Sequence, residues 1–276
     1  MVGQHPFMDG TVAENSPAVP AFGFFAVIGR HALRSLEHLG RYFGLLWWMI
    51  RHFYFARTYA RSVFRQMFDI GNHSIPIVVF TSAFIGMVTS VQSAHQLYDW
   101  IPRSVVGNLV IKSVLLELTP LLTALVLAGK VGATITAELG SMRVTEQIDA
   151  LETLAFDSVS FLITPRVLAG LTMFPVLVII GDFVAILGGL LGAVAVSQIP
   201  PEAFISGMRA SFLVSDALFG ILKGVFFGFA ITSIACYMGY YVEGGAEGVG
   251  KATMSTVVLA CLTVVVLDFM LASTLL

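Results

Sequence analysis

Long apolar runs without alternation dominate the chain from about residue 74 to the C-terminus, and short polar connections separate them. A helix needs about 20 apolar residues to cross a bilayer core. Continuous runs do not fit the in–out alternation of a membrane β-barrel, so helices are the predicted form. The pattern predicts five spans, at about 74–94, 105–137, 161–196, 212–241 and 253–276. The third is long and carries Pro175, Gly181, Gly188, Gly189 and Gly192, which leaves room for a re-entrant kink. The predicted fold class is therefore all-α integral membrane.

The region before the first span has a different texture. Arg30, Arg34, Arg41, Arg51, Arg57, Arg61 and Arg65 are interleaved with aromatic and aliphatic residues, including Trp47 and Trp48. The apolar core of this region, 44–50, is too short to span. Basic and aromatic faces together predict an amphipathic helix lying in the interface over 21–68. Residues 1–20 are polar and proline-containing, without a basic-then-apolar signal sequence, and are expected to be a mobile tail. The region holds seven of the fifteen Lys and Arg residues. The connection after span two holds Arg143, with Arg166 at its far edge, and that after span four holds Lys251. The opposite connections hold only Arg103 and Arg209. By the positive-inside bias the N-terminus is expected inside, on the cytoplasmic side, and the C-terminus outside.

Composition agrees with the pattern: 57% of residues are hydrophobic and 12% charged, half the charge of soluble domains. The net charge of -2 implies no nucleic-acid surface. Cys236 and Cys261 lie in apolar runs, and the six histidines form no metal motif, so neither a metal nor a cofactor is expected. The stretch GGAEGVGKAT (244–253) imitates a phosphate-binding loop. It follows a membrane span instead of a strand, and Ala252 stands where the magnesium-binding hydroxyl belongs. A glycine-rich turn is the better reading, and the chain is not expected to hydrolyse ATP itself.

The stretch 115–154 concentrates the chemistry. It begins with Glu117 and Pro120 in an apolar setting. It then presents Gly129, Ala133 and Ala137 four apart, a small-residue stripe suited to close helix packing within the chain or between subunits. It ends in a short charged helix at about 141–155, with Thr145 as the expected N-cap. Val144, Ile148, Leu151 and Ala155 form one stripe of this helix, and Glu146, Asp149 and Glu152 another. A helix of about ten residues needs a surface to rest on. That surface is either the protein's own cytoplasmic face or a groove on a partner. Charges inside spans usually face a bundle interior or cavity. Asp216 and Lys223 are seven apart on one helix face, and Lys223 is placed to pair with Glu117. These three residues are the candidate lining of a cavity for an amphiphile head group, while Asp182 and Asp268 have no evident partner. Glu117 and Asp216 would also suit a proton-coupled secondary transporter, although no inverted repeat is evident.

Two blocks resemble a known family. ELTPLLTALVLAGKVGATITAELGSMRVTEQIDALETL with PRVLAG (165–170) is similar to the signature of the MlaE/YrbE permeases, membrane subunits of MCE-associated ABC transporters. Asp216, Lys223, Phe227, Gly228, Cys236, Tyr237, Gly239 and GGAEGVGKAT agree. The resemblance covers about 68–276, and 69–276 is taken as an MlaE-type permease domain. It implies five transmembrane helices, a homodimer, two cytoplasmic ATPase subunits and a periplasmic MCE protein. Phospholipid would bind in a central cavity near Glu117, Asp216 and Lys223, and 141–154 would be the coupling helix seated in the ATPase. Leu116 and Lys130 stand where the family often has arginine.

Overall fold

The computed structural model describes residues 36–37, 40–49, 51, 60–98 and 100–275, and the described residues contain helices and no strand. Two compact units divide the chain, Met1–Gly44 and Leu45–Leu276. In the first, the described residues 36–37 and 40–44 are helical, with an exposed Arg41–Glu37 pair at 2.6 Å. Residues 45–49 are also helical, with Leu45 and Met49 buried and Trp47 and Trp48 exposed. The expected mobile tail and most of the expected interfacial helix lie outside the described residues.

The second unit holds five helices long and apolar enough to cross a membrane. They are α1 (Ala60–Gln96), α2 (Val105–Val144), α4 (Val159–Ala195), α6 (Val214–Tyr240) and α7 (Gly245–Leu275). Two shorter helices lie between them, α3 (Gln147–Thr153) and α5 (Pro201–Ser211). The spans match the apolar runs, but the first and last begin earlier than apolarity alone suggests. A helix continues past the bilayer as long as its backbone remains bonded, and Arg61 and Arg65 lie on the early turns of α1.

α1 and α4 form the most extensive helix pair. Their backbones touch through glycine. A Cβ built on Gly86 would lie 1.8 Å from the Ala185 carbonyl oxygen, and one on Gly188 would lie 2.2 Å from that of Ala83. The glycines of the third span therefore serve close packing. α4 runs without a re-entrant break, with Pro175 inside it. Gly86→Val is expected to drive α1 and α4 apart at backbone level. Overpacking typically costs about 1–3 kcal/mol, and here no side chain can yield. The check is the fraction of protein that remains monodisperse after detergent extraction, which should fall sharply against wild type.

α5 was not legible as an element. Its boundary signals are present: Pro200 is extended, Pro201 occupies the first helical turn, and Glu202 favours the helix N-terminus. Phe204 anchors it in a core cluster with Val106, Val110, Val114, Ala185, Ala193 and Ile199. The chain turns between α6 and α7 through Gly244 and Gly245, at φ +89° and +65°. The rest of the glycine-rich stretch is the first turns of α7, where Glu247 and Lys251 pair at 2.7 Å on an exposed face.

Candidate functional site

Pro120 lies inside α2 and has no N–H to give the carbonyl of Leu116, its expected partner four residues back. The helix accommodates this with a π turn at Val114–Leu118. Lys223, on α6, supplies a donor: its Nζ reaches the Leu116 carbonyl at 3.0 Å. The close approach is possible because Gly220 faces the α2 backbone, where a Cβ would come within 2.5 Å of the Leu115 carbonyl oxygen.

Lys223 is fully buried and bridges two carboxylates, Glu117 Oε2 at 2.7 Å and Asp268 Oδ1 at 2.7 Å. The Phe219 ring lies 4.9 Å from Nζ. Three spans, α2, α6 and α7, are thus joined at one ammonium group. The Lys223–Glu117 pair matches the sequence expectation, and Asp268 gains a partner that sequence spacing could not reveal. Glu117 remains 40% exposed, so its carboxylate faces both the lysine and the outside of this single chain. Asp216 does not join this cluster. It lies two turns earlier on α6 and approaches Lys112 of α2 at 3.9 Å.

The small-residue stripe lies on α2, which contains a second π turn at Ala128–Gly132. That turn shifts the register, so the buried small residues of this region are Ala128, Gly132 and Gly140. Gly129, Ala133 and Ala137 are only half-buried, and a Cβ on Gly129 would meet nothing within 4 Å. Helix packing within the chain does not use Gly129.

The segment after α2 is shorter than its sequence suggests. Thr145 does not cap α3: its hydroxyl donates to the Ser141 carbonyl at 2.8 Å and so closes the end of α2. Glu146 takes the left-handed conformation at φ +58° and turns the chain into α3, which has seven residues. Ile148 is fully buried against the protein itself. Asp149 pairs with Arg143 at 2.7 Å. Glu152 accepts bonds from the hydroxyls of Tyr240 and Ser158, both at 2.9 Å, which ties α3 to the end of α6. Glu146 is exposed, Leu151 is half-buried, and Val144, Leu154 and Phe156 leave an apolar patch open, with Leu154 68% and Phe156 52% exposed. Leu154 and Phe156 fall after the end of α3, so a search for helical periodicity overlooks them.

Comparison with known proteins adds to this geometry. The family model described as "Permease MlaE" matches residues 63–274. The chain belongs to the MlaE permease family. It is 37% identical over 251 residues to the intermembrane phospholipid transport system permease protein MlaE of Haemophilus influenzae, covering 91% of this chain and 96% of that one. It is 34% identical over 245 residues to a probable ABC transporter permease protein of Rickettsia prowazekii, covering 89% and 95%. A probable ABC transporter permease protein of Synechocystis is 34% identical over 244 residues, 88% and 93% of the two chains. As an MlaE-family member with five apolar helices, the chain is a multi-pass membrane permease of ABC type, a transport component and not an enzyme.

Proposed function

We propose that this MlaE-family chain moves phospholipid, or a related lipid, between the bacterial inner membrane and a periplasmic MCE protein, as one half of a homodimer powered by separate cytoplasmic ATPase subunits. The observation that carries this is the buried Lys223 shared between Glu117 and Asp268 in a family member 37% identical to a phospholipid-transport permease. Lys223 spends its three donors on Leu116, Glu117 and Asp268 and so fixes the half-exposed Glu117, whose carboxylate is suited to an amine or a bound water of the head group. Glu117 lies roughly 18 Å along α2 from its start at about 1.5 Å per residue. A carboxylate at that depth does not face acyl chains. A second copy of the chain, closing a cavity over Glu117, relieves this. Gly129, Ala133 and Ala137 on the same helix support close approach of such a copy. Asp216, with Lys112, would lie at the mouth of the cavity nearer the periplasm.

On the opposite side, α3 and the apolar residues after it are the proposed seat of the ATPase. Val144, Glu146, Ile148, Asp149, Leu151 and Glu152 belong to this coupling element. Val144 and Glu146 are placed to contact the partner, whereas Ile148, Asp149 and Glu152 hold the element to its own chain. ATPase closure on nucleotide would push α3, the Glu152–Tyr240 link would pass the movement to α6, and Lys223 on α6 would carry it to the head-group site. The N-terminus is cytoplasmic and the C-terminus periplasmic in this arrangement.

The test is transport of labelled phospholipid in proteoliposomes. Movement that needs ATP and a co-reconstituted ATPase chain is the expected result. Movement driven by a pH gradient with the permease alone would overturn it in favour of a proton-coupled carrier.

A further inference from the structure

A polar cavity of about 430 Å³ lies between α1 and α2 near the end of the bundle that carries α3. Gln66, Asp69 and His73 of α1 line one wall, and Lys130, Thr134 and Glu138 of α2 the other. It runs into a second cavity that shares Gln66, Asp69 and Glu138 and extends to Arg65 of α1 and Arg166 of α4. At about 1.5 Å per residue, His73 lies about 35 Å along α1 from Gln96, and Lys130 about 38 Å along α2 from Val105. The hydrocarbon core is about 30 Å thick, and its head-group layers bring the bilayer to about 40–45 Å. Counted along either helix, the cavity lies at head-group depth. Further into the bilayer the same two helices border an apolar groove of about 540 Å³. Phe80, Phe84 and Val88 of α1 face Leu118, Leu122 and Val126 of α2 across it.

The charges of the polar cavity are incompletely matched. Glu138 pairs with Arg166 at 3.2 Å, so these two compensate each other. Lys130 is the middle residue of the second π turn of α2, and its ammonium donates to a neutral partner, the His73 carbonyl. Two of its three donors remain. Asp69, on the facing wall, is half-buried, as Lys130 is. Among the described residues neither enters an ion pair, with the other or with any third group. The cavity therefore offers one cation and one anion, both partly withdrawn from water and both in need of a counter-charge. A head group that carries a phosphate and a primary ammonium on one short chain supplies both. Each contact is then a charge-assisted hydrogen bond. A choline head has no N–H to donate to Asp69, and a glycerol head has no cation. The apolar groove that continues the cavity along the same helix pair matches an acyl chain, which a free phosphate or amine lacks. Pockets between spans at this level recognise lipid head groups.

We propose that the groove between α1 and α2 binds an aminophospholipid of the phosphatidylethanolamine type, with Lys130 on its phosphate and Asp69 on its amine. The head-group site lies roughly 20 Å along α2 from Glu117 and is distinct from the Lys223 cluster. It needs only the five spans, and no assumption about which lipid the permease carries.

The test uses the purified full chain in detergent. Melting temperatures are read against added short-chain phosphatidylethanolamine, phosphatidylcholine and phosphatidylglycerol. A ligand that binds only the folded state raises the melting temperature, by several degrees near saturation. Phosphatidylethanolamine is expected to stabilise the protein most, and to go on doing so in Glu117→Gln, where the cavity proposed at Glu117 is altered. Lys130→Ala should remove this response. Asp69→Asn should reduce it to the level of phosphatidylcholine, since the phosphate contact remains and the amine contact is lost. The Asp69 carboxylate bonds to no described residue, so this variant decides the matter should Lys130→Ala melt too low to titrate. A preference that survives Asp69→Asn and disappears in Glu117→Gln would place the lipid at Glu117 and overturn the proposal. Equal responses to the three lipids would overturn it as well. A strongest response to phosphatidylglycerol would overturn the assignment to a zwitterionic head.

Discussion

Lys223→Ala is expected to be the most damaging single substitution within the spans. Removing one partner of a buried ion pair typically costs about 3–5 kcal/mol, because the other charge is left without compensation. Asp268, 14% exposed, bears most of that cost, whereas Glu117, at 40%, can turn outward. The Leu116 carbonyl also loses its bond from Lys223. Thermal unfolding in detergent should register the loss. Lys223→Ala combined with Asp268→Asn should recover part of it, since the stranded charge is gone. Neither variant should retain bound phospholipid at wild-type stoichiometry. Normal lipid occupancy in the double variant, with stability recovered, would refute the proposed role of Lys223 in holding Glu117 for the lipid head group.

Leu154→Glu with Phe156→Glu is expected to abolish co-purification of the ATPase while leaving membrane insertion and melting temperature unchanged. Fully burying a Leu or Phe side chain contributes about 1.5–3 kcal/mol each. Two lost contacts therefore correspond to about 10²–10⁴ in affinity. Both side chains are open in this chain, so the fold itself loses little. Reversal of Glu146 should weaken binding less, since exposed charge pairs contribute roughly 0–1 kcal/mol. Reversal of Glu152 acts differently: it breaks the bonds from Tyr240 and Ser158 and loosens α3 from α6. Undiminished ATPase recovery with the Leu154/Phe156 double variant would remove this patch from the docking surface.

The two sites differ in how they are encoded. A lysine inside an apolar helix must find anions, so its sequence context already pointed to Glu117. Which anions it finds depends on helix rotation and tilt. A seven-residue spacing put Asp216 on the same face as Lys223, yet Lys112 takes Asp216, and Asp268, far along the chain, takes the lysine. At the cytoplasmic end, local chemistry had two competing solutions. Thr145 can cap the helix that follows or close the one that precedes, and continuation of α2 to Val144 decides for the second.

Sequence alone determined the class of protein, the five crossings and the family blocks. These follow from properties that each segment carries by itself: an apolar length sufficient for the bilayer, charge that must stay outside it, and the order of residues in a motif. Tertiary structure decided what depends on distance between segments. It turned the glycines of α4 from a suspected break into a backbone contact with α1. It left Gly129 of the small-residue stripe unused within the chain. It also set Gly181 of α4 against hydroxyls contributed by α1 and α2. Periodicity along one helix states which residues share a face; only the packed neighbours state what that face meets.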